Sequence, residues 1–445
     1  MKINLLKELS EPIFYVTNDV GKGIGLEKIL PNYHIICLDD HPLVDILQNE
    51  GVSVFCLERV LGRRNVLPRS SGILLSQKAV LSFIQEKSRK SRPNILFFKP
   101  QKRIELVAEK FGFRLLGNSS QINRLFEDKI EFFQLCQKEK LPLPDGEIVN
   151  LDKASFDSLS QKYGEILVIQ FGRGWAGNST FFVGSDQWQQ LKKKYGNLRV
   201  KVSRFIAGKT VLNNAVIFKD QILVSEPALQ IKANPLLTAT QSGTGGREWP
   251  ARLTLDQKKK IKEITRKVGL LMKKKGYRGF FGLDFLIDES GKIFLSENNA
   301  RLTASVPFYT KLEIKAGAFP LLGFHLLSFL PFADQTKIDE ECPVVSGGEI
   351  VARNNTGKKL KAMGTMATGI YKANLKFIRE SAFLDSQDPE DFWLQTVAQG
   401  RIINPEVEIA KINTFSPVSD LEGNLLPQYS EIIIKIRREL CLKEC

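Results

Sequence analysis

The chain has 445 residues, of which 43% are hydrophobic and 25% are charged, and its formal net charge is +15. The length suggests about three domains, and the composition excludes a mainly disordered or collagen-like chain. Three histidines, and six cysteines without a Cys-x-x-Cys pair, exclude a zinc knuckle, a His-rich metal site and a thioredoxin-type motif. Two glutamates interrupt the N-terminal segment, and the longest apolar stretch, 316–332, contains two prolines and is too short to span a bilayer. We therefore expect a cytoplasmic protein that does not enter a membrane.

Residues 1–116 alternate short apolar runs with helical patterns. The predicted strands are 12–16, 34–38, 52–57 and 94–98, and the predicted helices are 25–30, 42–48, 77–87 and 104–111. Strands that alternate with helices predict a doubly wound parallel sheet, which is an α/β fold. Gly21, Gly23 and Gly25 follow the first strand, but their spacing is not that of a dinucleotide- or phosphate-binding loop. The glycine cluster therefore favours a ligand loop no more than a structural strand-to-helix turn.

The second region opens with a helix predicted at 121–140, which Ser119 or Ser120 would cap. Strands at 166–169 and 181–183 flank a glycine-rich loop, and further strands are predicted at 200–206, 211–218 and 222–225. A second glycine-rich segment, 243–249, reads as a loop. It would either be a plain connection or present Arg247 to a substrate carboxylate with Trp249 as a wall.

A basic segment at 251–280 carries eleven Lys or Arg residues and two acids. Its apolar residues recur at three- and four-residue steps, which predicts one amphipathic helix at 254–275 with a solvated basic face. No aromatic residues stand between the lysines, as a platform for single-stranded nucleic acid requires. We therefore expect no nucleic-acid partner.

The third region follows an apolar helix predicted at 316–330 and an acidic linker at 334–341. Short strands are predicted at 348–352, 361–366, 369–371 and 377–378. This pattern indicates a small β-rich C-terminal domain.

A predicted hairpin at 282–297 carries the residues with the clearest chemistry. Asp284 and Glu297 would face each other across a four-residue turn, and Asn299 would share a side with Glu297. Two carboxylates and an amide oxygen suit Mg²⁺ rather than zinc. Arg301 follows and could bind a phosphate or carboxylate. Spacing alone leaves this interpretation about even with a hairpin that carries surface acids.

The run 279–301, GFFGLDFLIDESGKIFLSENNAR, resembles the end of an ATP-grasp domain, whose pattern is a G-x-[DE]-F strand, a turn and a strand ending E-x-N-x-R. The resemblance extends over 117–330. It includes an N-S…D-K opening helix from Asn118 to Lys129, a glycine-rich lid hairpin and a hinge strand at 202–206. It is strongest to the biotin-carboxylase-like branch. It implies a Rossmann-like pre-ATP-grasp domain at 1–116, an ATP-grasp domain at 117–335 with a lid at about 160–205, and a C-terminal domain at 336–445.

The resemblance also implies an activity: ATP converts a carboxylate into an acyl phosphate, which an amine attacks, with ADP and phosphate released. The cofactors would be ATP and Mg²⁺ or Mn²⁺, and the partners a small carboxylate and a small amine, with a homo-oligomer left open. The implied metal ligands are Asp284, Glu297 and Asn299. The implied catalytic residues are Arg301, which would stabilise the acyl phosphate, and Arg247. The implied nucleotide-binding residues are Lys129, Gln170, Arg173, Gly174, Gly177, Ser203, Arg204, Phe205 and Ile206.

One position departs from the family pattern. Gln170 stands where a Lys usually contacts the nucleotide, and Arg173 is a candidate to supply the missing charge. The sequence therefore suggests that Gln170→Lys is tolerated, with ATP affinity unchanged or tighter. The alternatives to a carboxylate–amine ligase are biotin-carboxylase-like carboxylation and a non-catalytic ATP-binding regulator. No biotinyl-lysine context is found in the chain, and the metal-ligand pattern is complete.

Overall fold

A computed structural model describes residues 3–89, 91–172, 180–331 and 342–445. The N-terminal region is a five-stranded parallel sheet of order β3-β2-β1-β4-β5. Its strands are β1 Ile13–Thr17, β2 Tyr33–Cys37, β3 Ser53–Cys56, β4 Asn94–Phe97 and β5 Arg114–Leu115. Its helices are α1 Asn4–Lys7, α2 Leu43–Asn49, α3 Leu57–Leu61, α4 Ser71–Leu75, α5 Lys78–Ser88 and α6 Lys102–Phe111.

Both faces of this parallel sheet are buried. Along β1, Ile13 and Tyr15 enter one hydrophobic core, and Phe14 and Val16 enter another. A strand buried on both sides reads as a continuous apolar run, which is why the sequence predicts it well. The doubly wound α/β arrangement is confirmed.

The predicted helix at 25–30 is wrong. Gly25 has a φ of +148°, which lies outside the helical range. The chain instead forms a short 3₁₀ turn at Val20–Gly23, where the Asp19 side chain accepts the Gly21 N–H at 2.9 Å. The glycine segment therefore lies over the end of β1 as a turn.

The predicted helix at 121–140 is two helices, α7 Ser120–Glu127 and α8 Lys129–Lys138. Asp128 has an extended backbone, and its carboxylate accepts the N–H groups of Ile130 and Glu131. A side chain that caps a new helix ends the preceding one. This break makes Lys129 the first residue of α8.

The next module is a four-stranded antiparallel sheet with its own core. Its order is β6-β9-β7-β8, formed by β6 Gly146–Asn150, β7 Leu167–Phe171, β8 Thr180–Val183 and β9 Arg199–Arg204. Two helices, α9 Phe156–Tyr163 and α10 Ser185–Tyr195, pack with it. The described part of the predicted lid belongs to this module.

A long antiparallel sheet joins the remaining parts of the chain. In the described ranges it has eleven strands, in the order β15-β14-β10-β12-β13-β16-β22-β20-β18-β19 with β11 beside β10. The elements up to the third region are β10 Gly208–Phe218, β11 Gln221–Val224, β12 Ala228–Gln230, β13 Gly246–Trp249, α11 Leu255–Lys274, β14 Gly279–Asp288, β15 Ile293–Asn299, α12 Val306–Lys315 and α13 Leu321–Leu327.

The third region continues this sheet, because β13 pairs with β16. Its elements are β16 Gly347–Arg353, β17 Leu360–Ala362, β18 Gly369–Tyr371, β19 Phe377–Glu380, β20 Phe392–Thr396, β21 Ile402–Ile403, β22 Glu408–Thr414, α14 Pro427–Leu440 and β23 Leu442–Glu444. A separate sheet has the order β21-β17-β23. The linker predicted at 334–341 lies outside the described residues.

Two further expectations change. The helix predicted at 316–330 is confined to α13, and α12 precedes it. Residues 246–249, predicted as part of a loop, form β13, and Trp249 is buried against Tyr309 with ring centroids 5.3 Å apart. Trp249 is therefore a core residue and not the wall of a loop. No helix in the described ranges is both long and apolar enough to cross a membrane.

The basic helix α11 forms as predicted. Thr254 caps it, and Ile261, Ile264, Val268 and Met272 are buried. Several of its lysines have acidic partners: Lys258 and Lys262 lie 2.6 Å and 3.0 Å from the carboxylate oxygens of Glu226, and Lys273 lies 2.6 Å from Asp220. Ion pairs within the protein leave less positive charge for an external polyanion.

We therefore expect the protein to show no micromolar affinity for duplex or single-stranded nucleic acid at physiological salt. Replacing Lys273, Lys274 and Lys275 by glutamate should leave a fluorescence-anisotropy titration unchanged, because no phosphates are contacted there. Micromolar binding that is lost in the triple variant would contradict this interpretation of the helix.

Candidate nucleotide and metal site

The hairpin β14–β15 holds two carboxylates against each other. Asp284 pairs directly with Glu297, and a β-bulge follows between Asp284 and Phe285. The Asn299 amide donates to Asp284 Oδ2 at 3.0 Å, and the Gln230 amide donates to Asp284 Oδ1 at 2.6 Å. Two carboxylates and two amide side chains thus meet at one place.

The two carboxylates have different electrostatic environments. Burial, and then the charge of Glu297, raises the pKa of Asp284 to about 7. Burial also acts to raise the pKa of Glu297, but the Lys129 ammonium outweighs it and the pKa lies below its ordinary value. The charge of Arg247 acts against the rise in the pKa of Asp284 but does not offset it. A bound cation would relieve the remaining repulsion between the two carboxylates.

Oxygen donors of this kind suit a hard cation such as Mg²⁺. Within the ranges that the structure describes, no three His, Cys, Asp or Glu side chains are grouped closely enough to hold a metal. A metal at the hairpin would therefore depend on two carboxylates, an amide oxygen and ligands from water or phosphate. Mg²⁺ commonly binds with few protein ligands, so the residues fit this ion.

Lys129 is directed at the carboxylate pair from the first turn of α8. Its Nζ lies 2.5 Å from Glu297 Oε2 and donates to Thr180 Oγ1 at 3.2 Å. The break at Asp128 fixes this direction. Lys129 therefore links the opening helix, the hairpin and the four-stranded module.

Lys201 is a second ammonium that the sequence analysis missed. Its residue is 3% exposed, and its Nζ donates to Gln170 Oε1 at 2.9 Å and lies 4.8 Å from the Phe133 ring centroid. Burial, and then the charge of Lys129, lowers its pKa to about 8. A lysine inside the alternating strand R-V-K-V-S was the available indication in the sequence, because buried lysines are rare.

Gln170 itself is buried between Lys201 and Thr180, and its Nε2 donates to Thr180 Oγ1 at 3.2 Å. The positive charge absent at 170 is therefore present on the adjacent strand, where Gln170 pairs directly with Lys201. The sequence analysis names Arg173 instead as the candidate for this charge. Arg173, Gly174 and Gly177 lie outside the described residues.

This arrangement changes the expectation for Gln170→Lys. A lysine there would place a second ammonium against Lys201, so we expect a lower Tm and weaker ATP binding than in the wild type. The double variant Gln170→Lys/Lys201→Gln restores a single cation and should recover most of both losses. Thermal unfolding and ATP titration of the two variants test this, and a more stable single variant would contradict it.

Arg301 connects the hairpin to the N-terminal part of the chain. Its Nη2 donates to Asn299 Oδ1 at 2.8 Å, and its Nε lies 2.8 Å from Glu127. Its guanidinium carbon stands 4.9 Å from the centroid of the Phe98 ring. The side chain is therefore held in one orientation beside the metal-type residues.

Arg247 is on β13 and not on a loop. It is 5% exposed, pairs directly with Gln230, and its Nε is 3.5 Å from Glu349 Oε1. Directly paired residues share a face of the sheet, so Arg247 and Gln230 lie side by side. Arg247 thus belongs to the surroundings of Asp284 but is engaged with an internal carboxylate.

The hinge residues lie where β9 leaves the four-stranded sheet. Ser203 is buried and paired on both sides, with Gly146 and Val168, and Arg204 is exposed while its backbone N–H donates to the Asp145 carbonyl at 2.8 Å. Phe205 is exposed and meets Phe182 edge-on, and Ile206 is buried. The chain leaves the ladder at Phe205, directly after β9, the strand that carries Lys201.

No protein-family model matches the chain. Solved structures do match it over nearly the whole length. Biotin carboxylase from Campylobacter jejuni aligns with a TM-score of 0.63 at 13% identity, covering 98% of this chain and 92% of that one. The biotin carboxylase domain of 2-oxoglutarate carboxylase from Hydrogenobacter thermophilus, solved with MgADP and bicarbonate, aligns with a TM-score of 0.61 at 12% identity, covering 92% and 86%.

Phosphoribosylamine–glycine ligase from Thermotoga maritima aligns with a TM-score of 0.58 at 14% identity, covering 97% of each chain. Matches of this extent at such low identity show a common fold. The chain therefore has the ATP-grasp fold that the sequence pattern at 279–301 predicts.

Proposed function

We propose that the protein is an ATP-dependent, ADP-forming ligase that activates a small carboxylate as an acyl phosphate and joins it to an amine. The observation that carries the proposal is the meeting of Asp284 and Glu297 with Lys129 and Lys201. Carboxylates suit the cation of a metal–polyphosphate, and ammonium groups suit its phosphate oxygens. The ATP-grasp fold and the nucleotides solved with similar structures support it.

We assign Mg²⁺ or Mn²⁺ to Asp284, Glu297 and Asn299. When bound, the ion would neutralise charge on the phosphoryl group as it transfers. Glu297 would then be shared with the metal, which frees Lys129 to approach the phosphates. Asn299 already orients Asp284 through its amide N–H, and its oxygen accepts from Arg301.

We assign nucleotide binding to residues of the opening helix and the lid. Lys129 and Lys201 would contact phosphate oxygens, with Gln170 positioning the Lys201 ammonium. The backbone from Ser203 to Ile206 would lie along the adenine. Arg173, Gly174 and Gly177 keep the role that the sequence gives them, as part of a loop that folds over the phosphates and excludes water.

We assign the acyl-transfer chemistry to the side of the site that holds Arg301. Its guanidinium would stabilise the acyl phosphate and the oxyanion that forms when the amine attacks. Arg247, bound to Glu349, would act on a substrate group from the neighbouring strand. Substrate oxygens would thus be held between two fixed arginines.

The test is ADP release with ATP and Mg²⁺ across panels of carboxylates, amino acids and dipeptides, added singly and in pairs. We expect release to require a carboxylate and an amine together. Release that depends on bicarbonate would indicate carboxylation instead. ATP binding without release in any panel would indicate a regulatory protein, and either outcome would overturn the proposal.

A further inference from the structure

A row of side chains crosses five neighbouring strands of the long sheet. Gln230 on β12 pairs directly with Arg247, Arg247 with Glu349, Glu349 with Asn413, and Asn413 with Trp393 on β20. Directly paired residues point to the same face. Because Gln230 also donates to Asp284, the row leads without interruption from the carboxylate pair into the C-terminal region.

The far end of this row lines a cavity of about 400 Å³. Its walls come from three parts of the chain: the glycine segment after β1, the helix α12 and the strands of the third region. Apolar side chains cover most of these walls, among them Phe308, Leu312, Phe383, Trp393 and Phe415. The cavity is therefore built for a ligand with an apolar body.

The glycine segment closes this cavity at its polar end. A Cβ at Gly21 would lie 2.8 Å from Gln395 Oε1, so a larger residue there would require the end of the Gln395 side chain to move. Gln395 in turn pairs directly with Lys411. Glycine at position 21 thus permits the N-terminal region to approach the polar residues of the C-terminal sheet.

The floor of the cavity carries buried hydrogen-bond acceptors. Glu349 is 1% exposed and Asn413 is 7% exposed, and both line the cavity. Glu349 Oε1 and Asn413 Oδ1 have no hydrogen-bond partner among the described residues, although Arg247 Nε stands 3.5 Å from Glu349 Oε1. Buried acceptors of this kind are costly unless a donor reaches them, so the floor suits a ligand that donates N–H groups.

A fixed positive charge lies beside these acceptors. Lys411 lines the same floor, is 8% exposed, and its Nζ is 3.7 Å from Glu408. Burial opposes its charge, but Glu408, and then Glu349 and Asp19, outweigh burial and hold its pKa above the ordinary value. An anionic group next to the ligand's N–H donors would meet this ammonium.

The rim of the cavity does not favour a phosphorylated ligand. Lys28 lies 2.7 Å from Glu50 and Lys311 lies 2.5 Å from Glu27, so both are already paired. Lys315 is turned onto the Phe415 ring, with its Nζ 3.2 Å from the centroid. The charges available to a ligand are therefore those of the floor.

We propose that this cavity binds an α-amino acid with a large apolar side chain, its amine on Glu349 and Asn413, its carboxylate on Lys411 and its side chain among the apolar walls. The identification as a substrate rests on the proposed ligase function. Its neutral amine would attack the acyl phosphate carbon. The new C–N bond replaces the C–O bond to phosphate, and the departing phosphate takes the amine proton.

The direct test is calorimetry with the full chain and no ATP. Phenylalanine and leucine should bind with micromolar to low millimolar Kd. Phenethylamine, which lacks the carboxylate, and 3-phenylpropanoate, which lacks the amine, should each bind at least tenfold more weakly, and serine should not bind. Equal affinity for phenylalanine and either truncated analogue, or no binding of any apolar amino acid, would overturn the inference.

A variant pair checks the position of the ligand. Lys411→Met should weaken phenylalanine at least tenfold and leave phenethylamine unchanged, whereas Lys361→Met, an exposed lysine of the same region, should change neither. Thermal unfolding shows whether the Lys411→Met protein is folded. If it is not, the calorimetry with phenethylamine and 3-phenylpropanoate on the wild type tests the proposal. If apolar amino acids bind but ADP release does not depend on a carboxylate–amine pair, the proposed ligase function is wrong and the amino-acid site stands. If pair-dependent release occurs only with polar amines, the amino-acid site is wrong and the ligase function stands.

Discussion

Replacing Glu297 by glutamine should lower kcat for ADP release about a hundredfold or more, which corresponds to roughly 2.7 kcal/mol of activation free energy. The amide keeps the size of the side chain but removes one charge from the proposed metal ligands, and the developing charge on phosphate depends on that metal. Folding should survive, because the isosteric amide leaves no cavity and can still accept a hydrogen bond from Lys129, while repulsion with Asp284 is relieved. Asn299→Ala should have a smaller effect, since water can replace a neutral ligand.

The matched control is Glu289→Gln, which changes the same charge at the exposed turn of the same hairpin and should leave kcat unchanged. Initial rates at a series of Mg²⁺ concentrations separate a metal effect from a general one. If Glu297→Gln protein turned over its substrates at the wild-type rate and with the wild-type Mg²⁺ dependence, the metal assignment would be wrong.

Replacing Lys201 by methionine should weaken ATP binding at least tenfold and yet make the free protein more stable. The loss of affinity follows from removing a buried cation that we assign to the phosphate oxygens, worth about 1.4 kcal/mol or more. The gain in stability has a different origin. Below pH 8 the folded protein carries a buried ammonium whose only hydrogen-bond acceptor among the described residues is Gln170, so the free energy of unfolding should rise by about 1–2 kcal/mol.

The stability difference between Lys201→Met and the wild type should depend on pH. The folded-state pKa of Lys201, about 8, is below the unfolded value of about 10.5, so the unfolded chain binds more protons between them. The destabilisation by Lys201 is therefore full below pH 8 and fades as the pH rises toward 10.5. The difference in unfolding free energy between variant and wild type should shrink over the same range.

ATP affinity should show the matching behaviour. In the wild type, Lys201 must be protonated to bind phosphate, so affinity should fall as the pH rises above about 8, and Lys201→Met should lack this fall. Lys193→Met, on the exposed face of α10, is the control and should behave as the wild type. An unchanged ATP Kd in folded Lys201→Met protein would show that this ammonium is not part of the nucleotide site.

The hairpin could be predicted from the sequence because its geometry is local. A short turn limits the possible registers, and the β-bulge between Asp284 and Phe285 completes the pairing of Asp284 with Glu297. The positions of the parallel strands could be predicted equally well, because strands buried on both faces appear in the sequence as unbroken apolar runs.

The remaining features depend on residues distant along the chain. Lys201 lies beside Gln170 because β9 pairs with β7. Arg247 lies on a strand because β13 pairs with β16, about a hundred residues later. The break at Asp128 escaped prediction for another reason: the apolar periodicity continues through it, and only the capping of α8 separates the two helices.

The central claim, that a carboxylate is activated as an acyl phosphate, is tested most directly by an isotope transfer. The protein is incubated with ATP, Mg²⁺, an amine and a carboxylate labelled with ¹⁸O in both oxygens, and the released phosphate is analysed by mass spectrometry. The account predicts one ¹⁸O atom in each phosphate formed with an amide, because the oxygen that bridges carbon and phosphorus leaves with phosphate. Phosphate without the label, released while amide is formed, would contradict it.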